Sequence, residues 1–200
     1  MGRDTLLTAT FGDQTLLRKA LLLGAGSLFI AVAAQISVPM WPVPVTLQTL
    51  AILLVGFAYG SRLGALTVAA YLVQGFMGLP VFTPSTLPGL AALVGPTGGF
   101  LIGFVAMAWL AGLAAERGLA RGVAGTAAVA LVASALLYLP GVLWPMAVAA
   151  MAGVDAGWAG QDAAFYWAYF VTPFLIGDAI KALIAALVIR GAWARLGGKA

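Results

Sequence analysis

The stretch FLIGDAIKALIAALVIR, Phe174–Arg190, reads as one helix soluble in hydrocarbon, yet it contains Asp178 and Lys181. A charge at the centre of a membrane helix costs about 2.5–3.5 kcal/mol on insertion scales, so an intramembrane acid or ammonium points to a functional site with a nearby partner. Three residues apart, these two lie on the same helix face. What they do depends on what else lies at their depth.

The rest of the chain is equally oily. Its 200 residues are 63% hydrophobic and only 8% charged, whereas about a quarter of an ordinary soluble domain is charged. Such a chain cannot cover a surface facing water. It is read as a single integral membrane domain, 1–200, built of helices that each need about 20 apolar residues to span a bilayer. Histidine and cysteine are absent, which removes imidazole acid–base chemistry, thiol nucleophiles, disulfides and Cys/His metal sites together. No catalytic residue, metal or cofactor is expected. The net charge of +4 is carried by residues scattered singly or in pairs, not in the stripe a nucleic-acid surface needs, so no nucleic-acid partner is expected.

Apolar runs bounded by charge, Pro or Gly predict six transmembrane helices at about 20–36, 47–60, 63–78, 98–115, 122–143 and 173–190, after a cytosolic segment 1–18 without the features of a signal peptide. The basic residues then fix the orientation. Arg3, Arg18, Lys19, Arg62, Arg117, Arg121, Arg190, Arg195 and Lys199 all fall on one side, and the opposite loops (37–46, 78–98 and 143–173) carry no Lys or Arg. The positive-inside rule makes both termini cytoplasmic.

The outer loops are apolar but irregular. VPMWPVPVT (38–46) carries three prolines, and GLPVFTPSTLPGLAALVGPTGG (78–99) carries four. Backbone of this kind is tolerated near a membrane where protein or a water-lined cavity satisfies it, so these segments read as structured lids. The third loop clusters Trp158, Phe165, Tyr166, Trp167, Tyr169 and Phe170. These rings suit an interfacial belt or a short helix at the headgroups, with one or two facing a ligand as the alternative.

The second, fourth and sixth predicted helices start at the outer face with PVPVTLQT, GPTGG and TPFLIGDAIK. Helix amino termini offer unpaired N–H groups and a positive dipole end to an anion, and Lys181 adds a full charge. The pair could simply neutralise itself, but its remaining donors and acceptors would still need partners. A ligand complementary to these groups has a urea- or amide-like head and an anionic tail. Gln48 enters from the same side. On the first helix, Ala20, Gly24, Ser27, Ala31 and Ala34 form a small-residue stripe, suited to packing within the chain or to docking a separate membrane subunit. No phosphate-binding G-x-x-x-x-G-K-[ST] loop is present, so energy for uphill transport has to come from elsewhere.

Four ordered motifs, VPMWPVPVTLQT, YLVQGFMGLPVF, GPTGGFLIGF and PFLIGDAIKA, closely resemble the BioY family, the biotin-binding S components of energy-coupling-factor (ECF) vitamin transporters. The resemblance runs from the first predicted helix to the sixth. It implies a six-helix S-component fold in the cytoplasmic membrane, with the vitamin held near the outer side under the first and second outer loops. It implies biotin as ligand and, as partners, a transmembrane T subunit and two cytosolic ATPases that alone use ATP, although some members work without that module. Asp178 and Lys181 match the family's pocket acid and lysine, implying contact with a ureido N–H and the valerate carboxylate. Gln48, Phe82, Ser85, Thr86 and Thr97 lie in or beside the matching motifs, with Thr83 a third candidate beside Ser85 and Thr86. The small-residue stripe fits the surface that meets the T subunit. An S component for another small vitamin is the alternative, and a membrane enzyme a remoter one.

Overall fold

The computed structural model describes residues 5–12 and 15–197, so Arg3 and Lys199 lie outside the described residues. In chain order the helices are α1 (Leu6–Phe11), α2 (Leu16–Gln35), α3 (Gln48–Tyr59), α4 (Ser61–Phe76), α5 (Gly98–Glu116), α6 (Val123–Leu143), α7 (Ala149–Met151), α8 (Ala163–Tyr166) and α9 (Thr172–Gly197). Helix occupies most of each predicted span. The first helix starts at Leu16 rather than at 20, and the last runs to Gly197 rather than 190. Among the described residues, four helical stretches are long and apolar enough to cross a membrane: Leu16–Gln35, Gly98–Glu116, Val123–Ala147 and Ala163–Leu196. α3 and α4 have 12 and 16 residues, about 18 and 24 Å at 1.5 Å per residue.

The centre of the bundle is α5, which packs against α3, α4 and α6; α9 lies against α6 and α3, and α2 against α4 and α3. Small residues set these spacings. A Cβ at Gly56 of α3 would lie 2.6 Å from the Ala108 carbonyl oxygen of α5, and one at Gly99 would overlap the Pro140 carbonyl oxygen of α6. Both helix pairs therefore meet backbone to backbone. α1 is closed by a capping box between Thr5 and Thr8, and it tucks Leu7 against the bundle beside α3 and α9. Part of the segment 1–18 that precedes the first predicted span is thus a docked helix.

The loops at the predicted outer end are ordered. Ser37–Val38 (β1) and Val45–Thr46 (β2) pair antiparallel, Ser37 opposite Thr46, and the prolines between them prevent a longer ladder. Residues 143–173 differ most from expectation. Helix α6 continues through a π-helical stretch, Trp144–Val148, into α7, and α8 continues through Trp167–Val171 into α9. The Thr172 amide donates to the Trp167 carbonyl across this second stretch, and Asp162 caps α8 by accepting from the Phe165 amide at 2.8 Å. Wide π turns keep the chain helical where its aromatic composition suggests a surface segment.

The small-residue stripe of α2 is mostly consumed inside the chain. Ser27, Ala31 and Ala34 are buried, and Gln74 of α4 donates to Ser27 Oγ at 3.0 Å, whereas Ala20 and Gly24 are exposed. The last three positions pack inside the chain, where α2 lies against α4 and α3, and the first two stay open.

Candidate functional site

Asp178 and Lys181 project from one face of α9 and are 8% and 6% exposed. The ammonium lies 3.2 Å from Asp178 Oδ1 and donates to Thr49 Oγ1 of α3 at 2.9 Å. Tyr138 Oη of α6 donates to the other carboxylate oxygen, Oδ2, at 2.5 Å. Three helices are thus tied through one ion pair. A carboxylate has about four acceptor sites and an ammonium three donors. In this arrangement each Asp178 oxygen receives one hydrogen bond, and the ammonium uses two of its donors on described residues. The pair is partly satisfied by protein, with capacity left on both members.

That capacity faces a cavity of about 50 Å³. Its wall takes Val43, Pro44, Gln48 and Thr49 from the first outer loop and α3, Phe82, Thr83 and Thr86 from the second outer loop, and Phe100, Phe104, Tyr138 and Phe174 from the helices. Rings dominate the inner side: Phe100 stacks on Phe170 with centroids 6.5 Å apart, tilts against Phe174 and meets Tyr138 edge-on. The combination is an apolar box with a charged corner. Its volume suits a few water molecules, while drug-sized ligands occupy about 300–1,000 Å³. A larger ligand must displace part of the wall.

Phe82 is buried over Gly75 of α4, where an added Cβ would overlap the ring. The same ring meets Tyr71 and Phe76 edge-on, each at 5.6 Å. Backbone on either side is pinned by side chains: Gln35 Nε2 donates to the Phe82 carbonyl at 3.0 Å, and Tyr71 Oη to the Val81 carbonyl at 3.1 Å. Gln48 Nε2 in turn donates to Tyr71 Oη at 2.8 Å. Gln48 therefore lines the cavity and also buttresses the loop above it.

Of the residues singled out in sequence, Asp178, Lys181, Gln48, Phe82, Thr86 and Thr97 line this one cavity. Ser85 does not: it is exposed, because the turn closed by the Thr86 amide on the Thr83 carbonyl directs it outward, and Thr83 stands at the wall instead. Among the described residues, Thr97 Oγ1 is buried without a hydrogen-bond partner, as is Trp144 Nε1. The expectation of three helix amino termini at the site is corrected to two. α5 begins there without a side-chain cap, and α3 begins with its Gln48 amide donating to Thr46 Oγ1 at 3.1 Å, but α9 is preceded by the π stretch, where the Trp167 carbonyl already accepts from the Thr172 amide. The aromatic cluster also resolves. Tyr166 and Phe170 are buried, Tyr166 Oη donates to the Trp158 carbonyl at 3.0 Å, and none of the six rings lines the cavity.

Sequence reading missed Tyr138 and Thr49 as partners of the pair. The available signal was the unsatisfied hydrogen-bonding capacity of Asp178 and Lys181, which required polar groups from neighbouring helices.

Comparison with known proteins follows the same line. The BioY family model matches residues 5–198. A probable biotin transporter from Pyrococcus horikoshii is 35% identical over 165 residues, covering 81% of this chain and 90% of the relative. A biotin transporter from Rhizobium etli is 32% identical over 195 residues, covering 94% and 91%. Among solved structures, the S-component for biotin from an ECF-type ABC transporter superposes with a TM-score of 0.69 at 23% identity, covering 89% of this chain and 93% of that one. Matched along nearly its whole length, the chain belongs to the BioY family.

Proposed function

We propose that this chain captures biotin from outside the cell and carries it across the cytoplasmic membrane as the substrate-binding S component of an ECF-type transporter. Membership in a transporter family rather than an enzyme family sets the class. The observation that carries the ligand assignment is the Asp178–Lys181 pair in the corner of an aromatic-walled cavity, with hydrogen-bonding capacity left on both members. In this reading a ureido N–H of biotin donates to Asp178, Lys181 pairs with the valerate carboxylate, and the rings cover the bicyclic body. Thr97 Oγ1, without a partner among the described residues, supplies a further polar contact.

The reading includes six membrane spans with both termini cytoplasmic. α3 and α4 span a locally thin or tilted path, as short helices can within a bundle. It also includes a T subunit and two ATPases as the energy source, since the sequence carries no phosphate-binding loop. Labelled biotin binding to the purified protein tests the site: Asp178→Asn and Lys181→Met should both weaken it, and unchanged affinity in both removes the assignment. Competition with desthiobiotin, thiamin and riboflavin tests the choice of vitamin. Uptake in a host without its own biotin transporter, with and without the coupling subunits, tests the partnership.

A further inference from the structure

At the end of the bundle opposite the ligand cavity, the start of α4 and the end of α5 share a second groove of about 400 Å³, lined by Ser61, Arg62, Trp109, Leu113, Glu116 and Arg117. Among the described residues its one carboxylate is already committed. The Ser61 amide donates to Glu116 Oε1 at 2.7 Å, and Ser61 Oγ donates within 2.9 Å of both oxygens, so Glu116 serves as the anionic cap of α4. Arg62 and Arg117 are exposed, and neither guanidinium has a hydrogen-bond or ion-pair partner among the described residues. Trp109 and Leu113 on α5 and Arg117 at its C-cap follow one another at steps of four, which places them along one face. Trp109 is 45% exposed. The groove is therefore apolar toward the middle of the bundle and doubly cationic at its end.

We infer that this groove holds an anionic phospholipid of the cytoplasmic leaflet, with its phosphate between Arg62 and Arg117 and an acyl chain along Leu113 and Trp109. Guanidinium groups bind phosphate through paired N–H donors. Tryptophan suits the boundary between headgroup and hydrocarbon, and basic pockets between transmembrane helices on the cytoplasmic side take anionic headgroups. The Ser61–Glu116 contact matters here because it occupies the carboxylate that lines the groove. A free phosphate ion would use the arginines and leave the apolar half of the groove without a role. The assignment to the inner leaflet rests on the orientation proposed above.

The experiment titrates the purified full chain in detergent with phosphatidylglycerol, phosphatidylcholine or inorganic phosphate and reads bound lipid by native mass spectrometry. Phosphatidylglycerol should be retained in preference to phosphatidylcholine. Arg62→Gln and Arg117→Gln should each weaken that retention about fivefold and the double variant about 25-fold, at roughly one fivefold factor per basic residue facing anionic lipid. Biotin binding should stay unchanged in all three variants. Equal retention of the two lipids, or undiminished phosphatidylglycerol in the double variant, overturns the inference. Displacement of the lipid by an equal concentration of inorganic phosphate also overturns it, in favour of a free-anion site. So does loss of a co-purifying coupling subunit from the double variant while lipid stays bound, because that marks a protein-docking face. Orientation is read separately, since the chain has no cysteine: an impermeant thiol reagent applied outside cells should label Asp155→Cys and not Leu119→Cys. The reverse pattern would move the groove to the outer leaflet whatever the lipid retention in detergent.

Discussion

Tyr138→Phe removes one hydroxyl and keeps the ring that meets Phe100 edge-on at 6.5 Å. The lost interaction is the phenol donating to Asp178 Oδ2 at 2.5 Å. Hydrogen bonds to charged groups contribute about 1.5–3 kcal/mol, while measured couplings inside membranes average about 0.6 and reach about 1.7 kcal/mol. The two ranges overlap near 1.5 kcal/mol, and Asp178 keeps Lys181 as a partner in the variant, so the overlap is the expected cost. If Tyr138 aims the carboxylate at the ligand, biotin affinity should fall about tenfold, the factor that corresponds to ~1.4 kcal/mol. Equilibrium binding of labelled biotin reads this directly. The decisive comparison is a double-mutant cycle with Asp178→Asn. A neutral amide gains much less from the phenol than a carboxylate does, so the Tyr138→Phe cost should shrink by about 1 kcal/mol in that background. Independent sites add within about 0.3–0.5 kcal/mol. Additivity within that margin would mean that the phenol does not act through Asp178, and the three-helix tie would lose its functional meaning.

Other perturbations test the remaining parts of the site. Lys181→Met should destabilise the unliganded protein by about 3–5 kcal/mol, because it strands a buried carboxylate, and adding Asp178→Asn should recover most of that loss in a thermal melt. Thr97→Val should lower biotin affinity several-fold while raising the melting temperature of the unliganded protein, since its hydroxyl is buried without a partner and leaving a buried polar group unsatisfied costs about 1–3 kcal/mol. Gly75→Ala should push Phe82 out of its seat and cost about 1–3 kcal/mol by overpacking, with faster biotin dissociation in a chase experiment. Unchanged dissociation would separate Phe82 from any role in closure.

The legible part of this protein is what depends on side-chain type at a known depth. Two charges in an apolar run, prolines in two loops and basic residues on one side are visible without coordinates, and they predict both the helices and the corner of the cavity. What stays hidden depends on which face of a helix turns inward. A soluble helix reveals its buried face by polarity, but a membrane helix is apolar all round. Nothing in ASALLYLPG distinguishes Tyr138, whose phenol reaches α9, from an aromatic facing lipid. The α2 stripe is ambiguous for the same reason: small residues permit close approach without naming the partner, and in this chain Ser27, Ala31 and Ala34 are buried where α2 meets α4 and α3, with Gln74 of α4 bonded to Ser27. The continuous helix from Ala163 is hidden for another reason. A π turn is a local change in hydrogen-bond register that leaves no fixed residue pattern, so the sequence there reads as a loop followed by a new helix.

The same geometry explains why a costly ion pair is kept where an apolar contact would hold helices together more cheaply. A buried pair is a weak source of stability, and well-packed hydrophobic replacements often match or exceed it. Here the pair draws one polar group from α3 and one from α6 to α9, so its position is over-determined before any ligand arrives. Under the function proposed above, a ligand with an N–H donor and an anionic end would meet acceptors and a donor already held in place, so ordering these polar groups would add little to the cost of opening the wall. An apolar competitor would cover the remaining hydrogen-bonding capacity of the pair without satisfying it, and a site built around polar groups rejects such analogues strongly. The lid adds a second condition. Gln48 and Thr49 are neighbours in the first turn of α3: the Thr49 hydroxyl accepts from Lys181, and the Gln48 amide supports Tyr71 beneath Val81. That one turn thus touches both the charge pair and the loop above it.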